Sequence, residues 1–250
     1  MRLINAVVLV TGASSGIGEA TATRLAATGA NLIVTGRNEE RLRDVATRTG
    51  ATPVTADLTE PGGPDLLVEK ALAAEGRVDV LICNAGAGWA GPIGELAGPK
   101  ARELVSLNLL APVQLARLLA PQMAERGSGR LVFVSSIAGA CGVRNEAVYS
   151  ATKAGLNNLA ESLSYELTGT GVGVSLVLPG VVDTPFFGRR GRPYTRRIPV
   201  PIPAERVASA INRVLVRDMD VVYVPGWLRF PAWVHGVAPG TFRRLAIRFS

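Results

Sequence analysis

N-A-V-V-L-V-T-G-A-S-S-G-I-G, from Asn5 to Gly18, is the stretch on which the fold of this chain turns. Its first half, Asn5 to Thr11, is short, apolar and β-branched, as a strand buried on both faces must be. It runs directly into Gly12-Ala-Ser-Ser-Gly16-Ile-Gly18, and an amphipathic pattern of helical period follows from Ile17 to about Thr28. Strand, glycine turn and helix together make a nucleotide-binding arrangement. Glycine lets the backbone turn sharply and approach a pyrophosphate, and the helix N-terminus offers unpaired N–H groups at a positive dipole end. Ser14 and Ser15 can add hydroxyl donors. The spacing is G-x-x-x-G-x-G rather than the common G-x-G-x-x-G.

Outward from that unit the pattern alternates. Strands are expected at Asn31 to Thr35, Thr52 to Ala56, Val78 to Cys83, Arg130 to Ser135, Val172 to Leu178 and Asp220 to Val224. Helices are expected at Glu39 to Thr49, Gly62 to Glu75, Lys100 to Arg126, Ala147 to Thr168 and Ala204 to Val216. This alternation implies an α/β fold, a doubly wound parallel seven-stranded sheet of order 3-2-1-4-5-6-7 with right-handed crossovers and helices on both faces. Such sheets bind ligands beyond the carboxyl ends of their strands. Gly12, Arg37, Asp57, Asn84, Ser136 and Pro179 each follow a strand and fall at that edge.

A chain of 250 residues without a linker or internal repeat reads as one domain, 1–250, able to bury a large core. Cys83 and Cys141 lie in or near apolar strands without metal-site spacing and read as reduced thiols. His235 is the single histidine, which argues against a histidine metal site, and no metal is expected. A Ser-His-Asp triad would have to draw on that one histidine of the tail. The N-terminal apolar run ends in the glycine turn and does not read as a signal peptide. The net charge of +7 is uneven: after Pro185 there are twelve arginines against Glu205, Asp218 and Asp220. Arg189, Arg190, Arg192, Arg196 and Arg197 form one cluster, and Arg243, Arg244 and Arg248 another. A solvated surface and an anion-binding surface both fit such clusters; without a recognition motif, no nucleic-acid partner is expected.

Y-S-A-T-K places Tyr149 and Lys153 on one helix face at i and i+4. A cation beside a phenol favours the phenolate, so the spacing predicts that Lys153 lowers the pKa of Tyr149 and fits it for proton transfer near neutrality.

Together these residues resemble the short-chain dehydrogenase/reductase family, in its branch with a T-G-x-x-x-G-x-G motif, over about Asn5 to Thr184. The resemblance implies that Gly12, Ser14, Ser15, Gly16, Ile17 and Gly18 form the pyrophosphate loop. Asp57 and Leu58 in A-D-L-T would meet the adenine. Asn84, Ala85 and Gly86 would line the cofactor. Pro179, Gly180 and Thr184 would contact the nicotinamide end. Asn108, Ser136, Tyr149 and Lys153 are the implied catalytic set: tyrosine as acid or base, lysine as its tuner and ribose ligand, serine as hydrogen-bond donor to the substrate oxygen, and asparagine as holder of a relay water. The implied reaction is hydride transfer between a nicotinamide and a ketone or secondary alcohol. Gly36 stands where NAD-preferring members carry an acid, and Arg37 follows it, so NADP(H) is expected over NAD(H). Ser15 departs from the basic residue that many NADP-preferring members have there. A catalytically silent cofactor-binding sensor or scaffold is the alternative reading.

Beyond the core motifs, Trp89 is expected to wall the substrate pocket and 186–203 to form a lid, whose prolines at 193, 199, 201 and 203 oppose a regular helix. The tail, 225–250, mixes aromatic residues with arginines. It is too interrupted to span a bilayer. Packing on protein and an interfacial membrane segment both remain open. A cytoplasmic homodimer or homotetramer, with peripheral membrane contact by the tail as the further option, is the expectation.

Overall fold

The computed structural model describes residues 1–195 and 199–249. Its elements run β1 (Val7–Thr11), α1 (Gly16–Ala26), β2 (Asn31–Gly36), α2 (Glu39–Thr49), β3 (Thr52–Thr55), α3 (Gly63–Glu75), β4 (Val80–Cys83), α4 (Gly98–Val105), α5 (Ala111–Glu125), β5 (Gly129–Val134), α6 (Ile137–Ala140), α7 (Ala147–Glu166), β6 (Val172–Pro179), β7 (Val182–Asp183), α8 (Phe186–Arg189), β8 (Ile202–Pro203), α9 (Ala204–Arg217), β9 (Val221–Val224), α10 (Arg229–Val237) and α11 (Pro239–Phe249). Seven strands form one parallel sheet of order β3-β2-β1-β4-β5-β6-β9. This is the expected order, with β9 as the seventh strand.

β1 lies inside the sheet between β2 and β4 and is buried along its whole length. Its side chains alternate between two apolar layers. Val8 and Val10 join Ala22, Leu25, Leu42, Val207 and Ile211 on the face covered by α1, α2 and α9. Val7 and Leu9 join Leu67, Leu115, Leu119, Met123 and Leu156 on the face covered by α3, α5 and α7. Parallel strands need such cover on both faces, which is why V-V-L-V is continuous rather than alternating.

The helix expected over Lys100 to Arg126 is continuous from Gly98 to Glu125 but carries a π-helical turn at Ser106–Leu110, which holds Asn108. This helix is long and apolar enough to cross a bilayer by length and composition. Here it is a core helix, with Leu104, Leu107, Leu115, Leu119 and Met123 buried. β7 and β8 make a two-stranded side sheet that the pattern did not announce, each strand being only two residues long. Within 186–203, α8 precedes the prolines; Arg196 and Arg197 lie outside the described residues. The tail forms a 3₁₀ turn at Gly226–Leu228, then α10 and α11.

Candidate active site

The loops after β1 and β4 are locked together at the carboxyl edge of the sheet. The Thr11 hydroxyl donates to the Ile82 carbonyl and accepts from the backbone N–H groups of Asn84 and Ala85 at 3.0 Å each. The Asn84 amide donates to the Thr11 carbonyl at 2.9 Å. Gly12 takes a φ of +66°, and a Cβ there would lie 2.7 Å from the Ala85 Cα. At Gly18 a Cβ would lie 2.2 Å from the Gly12 carbonyl oxygen. These glycines bring α1 and the strand ends closer than any side chain permits. The Ser15 side chain makes no capping hydrogen bond at the start of α1, and among the described residues the first-turn N–H groups are left to suit an anion.

A cleft of about 830 Å³ opens above this platform. Its walls bring together Gly12, Ser14, Ser15, Gly16, Ile17, Arg37, Leu58, Asn84, Ala85, Gly86, Ser136, Tyr149, Lys153, Pro179, Gly180 and Thr184. Gly18 acts beneath the wall, through packing. Asp57 is held outside it. Its carboxylate accepts from the Thr59 backbone and hydroxyl at 2.9 and 2.7 Å and stands 3.7 Å from the Arg37 guanidinium. Burial alone would raise its pKa, but the Thr59 hydrogen bonds and Arg37 outweigh that and hold it below the usual carboxylate value. Trp89 is not part of the wall either: Ala90 is, and the indole lies against Gly91.

One end of the cleft is basic. Arg37, Arg41 and Lys100 line it, with Glu103 3.9 Å from Arg37 and 2.8 Å from Lys100. Arg41 was not singled out in the sequence, although it falls in the first turn of α2, where the Asn38 side chain accepts from its backbone N–H at 2.8 Å. A Cβ at Gly36 would come within 3.1 Å of the Ser14 hydroxyl, a tight contact that Ser14 would have to relieve by a small shift.

At the other end, α7 carries Tyr149 and Lys153, both buried. Ser136 caps α6, its hydroxyl accepting from the Ala138 N–H at 3.1 Å, and the same hydroxyl acts on the Tyr149 phenol. Burial pushes the Tyr149 phenol up to about 12; Ser136 and the Arg190 guanidinium pull against this, and Glu146 adds to it. Burial brings the Lys153 ammonium down to about 8. Its Nζ donates to the Val134 carbonyl at 3.0 Å and lies 6.0 Å from the centroid of the tyrosine ring. Asn108 is fully buried next to it. Its Oδ1 accepts from the Ala87 N–H at 2.8 Å, and its amide donates to the Ala87 carbonyl at 2.9 Å and to the Thr152 hydroxyl at 3.1 Å. The expected water-holding side chain thus ties the loop after β4 to α7.

The segment after β7 closes over this end. The Phe186 ring lies 5.5 Å from that of Tyr149, and Phe187 and Tyr194 continue the aromatic layer. Arg190 is buried, ion-paired with Glu146, and sits 4.6 Å above the Phe187 ring. Glu146, Phe186 and Arg190 were missed as site residues. Their only sequence signal was proximity: Glu146 stands three residues before Tyr149, and Arg190 lies in the arginine cluster. Cys83 and Cys141 are free and buried, as expected of reduced thiols.

The sequence pattern described as short chain dehydrogenase matches residues 6–194. An uncharacterized oxidoreductase of Staphylococcus epidermidis is 32% identical over 222 residues, covering 86% of this chain and 93% of that protein. The ketoacyl reductase HetN of Nostoc sp. is 38% identical over 181 residues, covering 70% of this chain and 63% of that protein. A short-chain dehydrogenase from Sphingobium yanoikuyae, solved in complex with NADPH, superposes with a TM-score of 0.81 at 32% identity, covering 88% of each chain. The glycine turn, the seven-stranded order and these relatives agree, and the chain belongs to the short-chain dehydrogenase family of NAD(P)-dependent oxidoreductases.

Proposed function

We propose that this chain is an NADP(H)-dependent oxidoreductase acting on an apolar ketone or secondary alcohol. The observation that carries the reading is the layout of one cleft, with Ser136, Tyr149 and Lys153 at one end and Arg37 and Arg41 at the other. The residues fit the cofactor. The α1 N-terminus would take the pyrophosphate, Arg37 and Arg41 the 2′-phosphate, and Lys153 the nicotinamide ribose. Gly36 leaves the end of β2 without the acid that would favour NAD(H), and Arg37 follows it. The Sphingobium relative solved with NADPH supports the same choice. When bound, the nicotinamide supplies or accepts the hydride.

Tyr149 gives a proton to the substrate oxygen in reduction and takes it back in oxidation. The phenol stands at about 12 with Ser136 and Arg190 already pulling it down against burial, so near neutrality it keeps its proton and is ready to act as the acid in reduction. Ser136 donates to the same substrate oxygen as charge develops there. Asn108 holds the wall beside Lys153 and acts as a positioning residue. Phe186 and Phe187 exclude water and favour an apolar group next to the carbonyl. The Nostoc relative's name, ketoacyl reductase, supports 3-oxoacyl compounds as candidates. Family members commonly form dimers or tetramers through the two long helices; the exposed Val105, Leu110 and Tyr165 on those helices support that assembly here.

The test is NADPH and NADH consumption across ketones, 3-oxoacyl thioesters and quinones. Turnover of an apolar carbonyl compound, faster with NADPH, is the expected result. NADPH binding without turnover of any member would favour the silent sensor instead.

A further inference from the structure

The tail carries an apolar face that the fold leaves uncovered. Phe230, Trp233 and Val237 are 65, 62 and 66% exposed and stand at i, i+3 and i+7 on one face of α10. Phe230 and Trp233 stack with centroids 6.3 Å apart, and Trp227, 55% exposed, precedes them. The next helix adds the exposed Leu245 and Ile247, and the contact of His235 with Phe242 at 5.1 Å joins the two helices. Soluble proteins seldom expose aromatic residues in such a group without a partner. Leu228 anchors the segment to the sheet: its side chain is buried and would lie 2.8 Å from a Cβ at Gly180. α10 also packs on α6, whose N-cap is Ser136, so the face sits at the cleft end of the sheet.

The charge around this face has one sign. No aspartate or glutamate follows Asp220, whereas Arg229, Arg243 and Arg244 are exposed and make no ion pair among the described residues. A second copy docking through the same face would set arginine against arginine with no carboxylate between them. An anionic bilayer offers what the face lacks: an apolar layer for tryptophan and phenylalanine, and phosphates at the depth of the guanidinium groups. We propose that α10 and α11 form a docking surface for anionic lipid membranes, which turns the cleft end of the sheet toward the bilayer. This surface is independent of the cofactor and substrate assignments.

The test uses full-length protein with vesicles of phosphatidylcholine alone or containing a third phosphatidylglycerol. The protein should float with the anionic vesicles at low salt, with tryptophan emission shifting to the blue, and bind the neutral ones at least tenfold less. Trp227→Ser/Phe230→Ser/Trp233→Ser should abolish flotation, and Arg243→Gln/Arg244→Gln should reduce it at least fivefold, both with unchanged circular dichroism. Absence of flotation by the parent, or equal flotation by the aromatic variant, overturns the proposal. So does a parent that stays off the vesicles and falls from dimer to monomer in sedimentation when the three aromatic residues are replaced, which would assign the face to a second copy.

Discussion

Lys153 donates its ammonium hydrogen to the Val134 carbonyl at 3.0 Å, at the end of β5, and is buried there. This contact holds the lysine in the cleft wall, 6.0 Å from the centroid of the Tyr149 ring. It also makes the lysine's charge a cost of folding. Burial lowers its pKa from 10.5 to about 8. An unfolded lysine keeps its proton to about 10.4. Between those values the unfolded chain therefore binds the extra proton, and stability rises with pH across that window, by at most about 3 kcal/mol. Below pH 8 the burial cost is present in full. Denaturant unfolding between pH 7.5 and 10 should show this rise in the parent and lose it in Lys153→Met. Parallel profiles would reject the burial of a charged lysine.

Arg190 and Glu146 flank the phenol from the lid and from the start of α7. Arg190→Met removes the cation and should raise the pKa governing alcohol oxidation, which needs the phenolate. Glu146→Gln should lower it. Breaking one partner of a buried pair costs about 3–5 kcal/mol, so both variants should also melt earlier. The check is the pH dependence of kcat/KM in both directions of the reaction, where a shift of equal sign in the two variants would refute the electrostatic account.

Arg37 is 55% exposed at the basic end of the cleft. Its exposure limits what its pair with Asp57 can add to stability, since solvent screens such pairs. A 2′-phosphate would gain a charge-assisted bond from it, about 1.5–3 kcal/mol. Arg37→Ala should therefore lower kcat/KM for NADPH about ten- to a hundredfold while leaving NADH within about twofold. Steady-state kinetics with both cofactors decides it; an equal loss for both would remove the phosphate role.

Gly18→Ala would set a methyl group 2.2 Å from the Gly12 carbonyl oxygen and 2.6 Å from the Asn84 amide nitrogen. Overpacking of this kind costs about 1–3 kcal/mol. Thermal unfolding should fall by roughly 2–12 °C, and NADPH binding should weaken because the turn opens. An unchanged Tm would mean that the helix and strand are not held at this distance.

The fold was legible because its signals are local and repeated. V-V-L-V reads as a strand covered on both faces, the glycines mark the turn, and helical periods separate the remaining strands. Most of the cleft wall was legible too, since its residues directly follow strands. Three kinds of information were not. The short strands β7 and β8 carry no periodicity, being two residues each. The partners of Asn108 depend on a π-helical turn, which only three-dimensional packing reveals. The Arg190–Glu146 pair joins residues 44 apart in sequence, and its effect on Tyr149 depends on burial rather than on spacing. The i, i+4 geometry correctly put Tyr149 and Lys153 together, but it could not foresee that Val134 engages the ammonium.

Proton transfer through one phenol is the centre of this account, and Tyr149→Phe isolates it by removing a single oxygen. Single-turnover transfer of hydride from NADPH to a substrate found in the screen, measured beside the NADPH dissociation constant, gives the direct test. The account predicts a loss of at least a thousandfold in transfer, with the dissociation constant within about threefold of the parent. Transfer at the parent rate, with the ring intact and the hydroxyl gone, would contradict it.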